Sequence, residues 1–304
     1  MSAARAQSST RERLVAVMLR IGLRIVLKPA LSPNVPVAWQ RWWLHQLSRS
    51  ARPARGVAIQ SGVIGGVGGE WLRDPAATAK GTILYLHGGG YCAGSPATHR
   101  AMTLRLARTL PVFAANYRLA PEHSFPAAVE DALSCYRALA EGGPVVIAGD
   151  SAGGGLALAT ALAARQRGIK PPAALVLFSP WVDLALPQRD ELAKGDAMLS
   201  ASWLAACARH YLAGTDAADP LASPIHGDLT GLPPTLIQVG GDEMLLSDAE
   251  RLRDALQGAG VTVRCEIEPA RWHAFQLHAG LLPSATAAIA RAGEFIASVL
   301  QDGD

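Results

Sequence analysis

An α/β chain, with a mostly parallel central sheet flanked by helices, is the fold class this sequence predicts, and three observations predict it. From residue 82 onward, short β-branched or apolar runs alternate with longer helix-forming stretches, which is the rhythm of parallel βα units. One strand-to-helix junction, in the stretch PVVIAGDSAGGGLALATALAAR from Pro144 to Arg165, sets a serine among small residues. Two later predicted strands run into an acidic turn, Asp242-Glu243, and a loop carrying His273.

The size and composition fit such a fold. A chain of 304 residues, 50% hydrophobic and 17% charged, is long enough for one large domain plus an elaboration. Its net charge of +3 is small for its length and the basic residues are dispersed along the chain, so nucleic acid is not indicated as a partner. Cys92, Cys135, Cys207 and Cys265 are far apart in sequence with no C-x-x-C pair. Neither a zinc site nor a disulfide framework is signalled, and lone cysteines suit a reducing cytoplasm.

At the N-terminus, apolar residues 14–27 are interrupted by Arg20 and Arg24, and the longest unbroken apolar run is 14–19. That is too short for a membrane span or a signal-peptide core. Arg20, Arg24 and Lys28 recur every four residues, which puts them on one face of an amphipathic helix away from Val17, Ile21 and Leu23. Such a helix reads first as packing on its own domain, with a membrane-surface or oligomer contact as the alternative. Trp39, Trp42 and Trp43 follow the break at Pro33 to Pro36 and read as core or pocket wall.

The glycine-rich passage 62–69 and the EWLRDP after it predict a hairpin turn or loop at a sheet edge. The regular core is expected to begin near Thr82, with strands at 82–86, 112–117, 145–148, 175–178, 236–239 and 261–267. Helices are expected at 126–141, 152–165, 248–257 and 285–300. Between Trp181 and Leu221 strand signals vanish and SASWLAACARHYLAG predicts an isolated helix. With the N-terminal helices, it could fold over the C-terminal edge of the sheet as a cap that excludes water and walls an apolar pocket.

The chemistry centres on Ser151. In Gly149-x-Ser151-x-Gly153 the small residues let a serine stand on a sharp strand-to-helix corner, with the positive end of a helix behind it. The same pattern also fits an ordinary glycine-rich turn with a serine N-cap. His87-Gly88-Gly89-Gly90-Tyr91 closes strand 82–86, and its glycines let backbone N–H groups approach a ligand. In acyl transfer these would be oxyanion donors; a phosphate cradle is disfavoured because no Lys-Ser or Lys-Thr follows. A nucleophilic serine needs a base and the base needs a carboxylate. Of eight histidines, His273 in PARWHAF is the candidate base and His278 its runner-up, while Asp242 or Glu243 supplies the acid. The chain order serine, acid, histidine is that of the α/β-hydrolases.

These motifs together resemble the hormone-sensitive-lipase-like, GDSAG branch of the α/β-hydrolase family. The resemblance covers roughly residues 60 to 300 and rests on His87 to Tyr91, Asn116-Tyr117-Arg118-Leu119-Ala120-Pro121-Glu122-His123, Gly149 to Gly154, Asp219 to Pro224 and His273-Ala274-Phe275. It implies Ser151 as nucleophile, His273 as base, and the N–H groups of Gly89, Gly90 and Ala152 as oxyanion hole. The Tyr117 to Glu122 stretch would buttress the oxyanion loop. The family's acid stands one residue before a hydrophobic position and two before a leucine, which selects Glu243 over Asp242. Expected activity is hydrolysis of short- to medium-chain acyl esters, a small-molecule substrate, without cofactor or metal, with a lactone or amide hydrolase as the alternative. A ligand receptor on the same scaffold is argued against by His273 and the acidic turn, and a dinucleotide-dependent oxidoreductase by the lack of G-x-G-x-x-G after the first core strand. Pairing into a homodimer is a further family expectation. The expected organisation is an N-terminal helical cap part at 1–50, the catalytic domain at 51–180 and 221–304, and a cap insertion at 181–220.

Overall fold

A computed structural model describes residues 10–49, 56–77, 79–185 and 196–301. Eight strands among these residues form one sheet in the order β1-β2-β4-β3-β5-β6-β7-β8. The strands are β1 (Ala58–Ile64), β2 (Val67–Arg73), β3 (Thr82–Leu86), β4 (Val112–Ala115), β5 (Val145–Asp150), β6 (Ala174–Phe178), β7 (Thr235–Gly240) and β8 (Val263–Glu268). Only β2 runs against the other strands, antiparallel to both of its neighbours, β1 and β4. From β4 to β8 every pairing is parallel, with Leu86 beside Gly149 and Phe178 beside Asp150.

The parallel strands β3 to β7 are almost wholly buried because helices cover both faces, which is why they read as continuous Val, Ile and Leu runs. The helices are α1 (Thr10–Gly22), α2 (Val37–Ser48), α3 (Arg100–Leu106), α4 (Ala127–Ala140), α5 (Ala152–Gln166), α6 (Ala201–Leu212), α7 (Leu246–Gly258) and α8 (Pro283–Gln301). Central α5 is buried from Ala152 to Ala164, so its Ala, Gly and Leu composition shows no polar face. Gly149 and Gly153 are required there: a Cβ on Gly149 would strike the Gly153 carbonyl, and one on Gly153 the Leu86 carbonyl.

Three sequence expectations need correction. The passage 62–69 does turn a hairpin at the sheet edge, but its arms, 58–64 and 67–73, are strands β1 and β2 rather than loop, so the sheet extends N-terminal to Thr82. Glycines hid those strands, and they are needed because Trp71 and Phe113 pack 5.2 Å apart over Gly62 and Gly69. The strand expected to reach Tyr117 ends at Ala115, where the chain leaves the sheet toward the loop of His87. Trp39 and Trp42 are neither core nor pocket wall but exposed.

The N-terminal helix does lie on its own domain, by an unexpected face. After α1 the chain widens into a π-helical turn, Leu23–Leu27, closed by the Lys28 N–H donating to the Leu23 carbonyl. Arg20 bonds Asp242 at 2.7 Å and Lys28 donates to the Asp196 carbonyl at 2.7 Å, while Ala16, Leu23 and Leu27 are buried. Val17 and Ile21 point outward. In α6, the Ser200 side chain caps the helix by accepting from the Trp203 N–H, and the Trp203 indole donates to Gln40 of α2 at 2.8 Å. The expected insertion falls partly outside the described residues, at 186–195.

Candidate active site

All the predicted site residues lie at the C-terminal ends of parallel strands, the edge where open α/β sheets bind ligands. Ser151 follows β5 directly, at φ 54° and ψ −122°. A non-glycine residue there costs about 1–3 kcal/mol and persists only when its surroundings hold it. The hold comes from β6 and α5. The Ser151 N–H donates to the Phe178 carbonyl at 2.9 Å, and the Ser151 carbonyl accepts from Gly154, Gly155 and Trp181.

Opposite the elbow, the loop after β3 is wound by positive φ values at Gly89 (122°), Gly90 (64°) and Tyr91 (60°). The Gly89 carbonyl accepts from the N–H groups of Cys92 and Ala93, at 3.1 and 2.9 Å. Among the described residues, the N–H groups of Gly89, Gly90 and Ala152 donate to no protein acceptor.

A buried network fixes this loop to the elbow. Asp150 Oδ1 accepts from the Tyr85 hydroxyl at 2.6 Å and from the Gly88 N–H at 3.0 Å, while Oδ2 meets His99 Nε2 at 3.2 Å. Burial opposes a charge on either partner, yet their mutual attraction wins: the His99 pKa is raised and that of Asp150 lowered. His87 behaves oppositely. Burial and the nearby His99 charge push its pKa down to about 3, so it is a neutral ring stacked 4.3 Å from Tyr117. The Tyr117 hydroxyl donates to the His87 carbonyl at 2.5 Å, and Ala120 N–H to the Tyr91 carbonyl at 2.9 Å. Residues 117–120 therefore brace the glycine loop from behind.

His273 follows β8, and its Nδ1 lies 3.0 Å from Glu243 Oε1. Glu243 Oε2 is held by two donors, the Ser179 hydroxyl and the Gly240 N–H, each at 2.7 Å. Burial alone would lower the His273 pKa, but the Glu243 charge and hydrogen bond raise it above the ordinary histidine value. With Nδ1 donating to Glu243, Nε2 is the nitrogen free to take a proton. Asp242 is turned away: its side chain is 41% exposed and bound to Arg20. His278 is half-buried, edge to face with Trp272 at 5.4 Å and its Nδ1 unpartnered, and desolvation pushes its pKa down to about 4. No carboxylate reaches its ring among the described residues.

Sequence reading missed two supports. Ser179, at φ 46° just after β6, donates to Glu243 and accepts from the Ala274 N–H at 3.1 Å, tying acid to histidine loop. Asp196 accepts from the N–H groups of Met198, Leu199 and, at 2.9 Å, Met244, which steadies the turn of Glu243. The signal for Ser179 was a polar residue at a C-terminal strand end beside the elbow strand; Asp196 had none. Ser179→Ala is expected to lower kcat about tenfold with KM unchanged, the loss of one hydrogen bond to a charged group. Steady-state kinetics check this, and an unchanged kcat would mean that Gly240 alone holds Glu243.

Ser151 and His273 line one cavity of about 420 Å³. Its walls are mainly hydrocarbon, supplied by the N-terminal helices (Leu19, Leu23, Leu27), by Leu199 and Trp203, and by Leu277. Trp181 and Phe275, the other aromatic candidates, are buried outside the lining.

The sequence profile of the alpha/beta hydrolase fold matches residues 83–277. An acetyl-hydrolase of Streptomyces hygroscopicus is 46% identical over 242 residues, covering 77% of this chain and 81% of that protein. An esterase of Acinetobacter venetianus is 37% identical over 293 residues, covering 93% and 94%. Among solved structures, an esterase from the bacterial hormone-sensitive lipase family superposes with a TM-score of 0.88 at 37% identity, over 97% of this chain and 99% of that one.

Proposed function

Because this chain belongs to the α/β-hydrolase family, in its hormone-sensitive-lipase-like branch, we propose that it is a serine carboxylesterase that hydrolyses short- to medium-chain acyl esters through an acyl-enzyme on Ser151. One observation carries the reading: a strained serine shares a largely apolar cavity with a histidine whose Nδ1 is 3.0 Å from a buried carboxylate.

In the first half-reaction His273 Nε2 takes the Ser151 hydroxyl proton as the oxygen attacks the ester carbonyl. Negative charge then develops on the carbonyl oxygen, and the N–H groups of Gly89, Gly90 and Ala152 stabilise it. One such donor contributes about 10²- to 10³-fold in rate. Glu243 keeps the ring in the correct tautomer and stabilises the imidazolium. The intermediate collapses as His273 returns the proton to the alcohol oxygen, which leaves. Water, deprotonated by His273, repeats the attack on the acyl-enzyme and frees the acid and Ser151.

In this reading the described parts of the segments 1–50 and 181–220, residues 10–49, 181–185 and 196–220, form the cap over the catalytic body, and the acyl chain lies against Leu19, Leu23 and Trp203. Four free cysteines favour a cytoplasmic location. No helix among the described residues is long and apolar enough to cross a membrane.

Profiling kcat/KM on p-nitrophenyl esters from acetate to palmitate, beside a panel of small lactones, tests the substrate class. The expected result is a maximum at short to medium acyl chains and a steep fall before palmitate. Turnover of the lactones alone would replace the esterase reading with lactone hydrolysis.

A further inference from the structure

The outward side of the N-terminal helices is apolar. Leu14, Val17, Met18, Ile21, Ile25 and Val26 are each between 42% and 69% exposed. Two half-exposed indoles extend the same surface. Trp39 and Trp42 pack edge to face at 5.3 Å, Trp42 touches Trp43, and the Trp43 indole donates to the Val26 carbonyl at 3.2 Å. Apolar patches of this kind mark interaction surfaces.

Two further observations identify the occupant. Residues 10–49 contain seven Arg and Lys against a single acidic residue, Glu12, in a chain whose net charge is only +3, so the rest of the protein is net acidic. Glu12 is buried against Arg271, whereas Arg11, Arg13, Arg24 and Arg49 stand at exposed positions beside the apolar patch. Exposed aliphatic residues, indoles and arginines on one face are the composition of an element that lies in a membrane interface. In addition, Met18 and Val26 belong both to this exposed face and to the wall of the cavity that holds Ser151. The cavity mouth therefore opens on the patch. A second copy of the chain seated there would cover the mouth, whereas a lipid surface would feed it.

We propose that the apolar, basic face formed by α1, the π-helical turn and α2 docks on an anionic lipid surface, so that ester substrates enter between Met18 and Val26 without crossing bulk water. The delivery half of this statement rests on the esterase reading above; the docking half does not.

Flotation of the full chain carrying Ser151→Ala, with vesicles of phosphatidylcholine alone or mixed with phosphatidylglycerol, tests it. The chain is expected to float with the mixed vesicles, to stay behind with phosphatidylcholine, and to be released as salt rises. Ile21→Glu with Ile25→Glu, and separately Trp39→Ser with Trp42→Ser, should each cut the vesicle-bound fraction at least about tenfold. On the otherwise unaltered chain, the same pairs should leave kcat/KM for dissolved p-nitrophenyl acetate unchanged, which also reports intact folding. No flotation with mixed vesicles, flotation indifferent to both pairs, or a dimer in sedimentation that the pairs split without any flotation would each overturn the proposal. Flotation as expected, together with no hydrolysis of the dissolved ester by the unaltered chain, would uphold docking and sink the esterase reading instead.

Discussion

Ser151→Ala is expected to lower kcat for a dissolved ester by about 10⁶-fold, because alanine removes the atom that forms the acyl bond. What survives, about 10³- to 10⁴-fold over water, would come from the oxyanion donors and from binding alone. The fold should be unaffected. Ser151 holds its strained corner through backbone bonds to Phe178, Gly154, Gly155 and Trp181, all of which alanine retains. Alanine at φ 54° is also no more strained than serine. Circular dichroism and a melting curve matching the parent, with turnover at background, are the combined expected result.

The second large effect separates two neighbouring carboxylates. Glu243→Gln is expected to cost about 10⁴-fold in kcat, since an amide facing Nδ1 can no longer select the Nδ1–H tautomer or stabilise an imidazolium. Asp242→Asn should leave kcat within a few-fold, because Asp242 bonds Arg20 on the outer surface rather than His273. The pH dependence follows from the same geometry. His273 must be neutral to accept a proton, and its pKa lies above the ordinary histidine value because the attraction of Glu243 overcomes burial. Rate should therefore rise with pH through a midpoint above that value. In Glu243→Gln the nearest opposing charge is gone, burial is countered only by the smaller effects of Asp196 and Asp150, and the midpoint of the residual activity should move to lower pH. An Asp242→Asn variant that loses turnover while Glu243→Gln keeps it would reverse the assignment.

Much of the fold is legible in the sequence because its central strands are buried on both faces. Runs such as TILYL and ALVLF need no alternation to be recognised once helices separate them. Legibility fails where packing overrides composition. Gly62, Gly68 and Gly69 argue against strands when read alone, and only the Trp71 ring lying over Gly62 and the Phe113 ring over Gly69 explain why strands run through them. At the N-terminus the amphipathic pattern is readable but its orientation is not. Arg20 and Lys28 find the acidic turn and the Asp196 carbonyl, partners some 170 to 220 residues away in sequence, and so turn inward, while Arg24 of the same face stays exposed.

The site divides in the same way. Ser151, His273 and the acidic turn are visible because each sits at a strand end in an order that acyl-transfer chemistry requires. Which carboxylate faces the histidine is legible only through the family resemblance, whose spacing selects Glu243; the physical cause is in the turn, where the Gly240 N–H and the Ser179 hydroxyl draw Glu243 inward. Asp150 shows the opposite limit. It stands inside the most recognisable motif of the chain, yet its partners Tyr85, Gly88 and His99 come from two other segments, so its bracing of the glycine loop emerges only in three dimensions.

The central claim is that catalysis passes through an acyl bond on Ser151. Mixing enzyme with excess p-nitrophenyl butyrate and following p-nitrophenol in the first turnover, with intact-mass measurement and peptide mapping of the quenched protein, tests it most directly. The predicted result is a burst equal to the enzyme concentration and one butyryl group on the peptide containing Ser151, absent in Ser151→Ala. A burst that persists in that variant, or an acyl group mapped to another residue, would contradict the account.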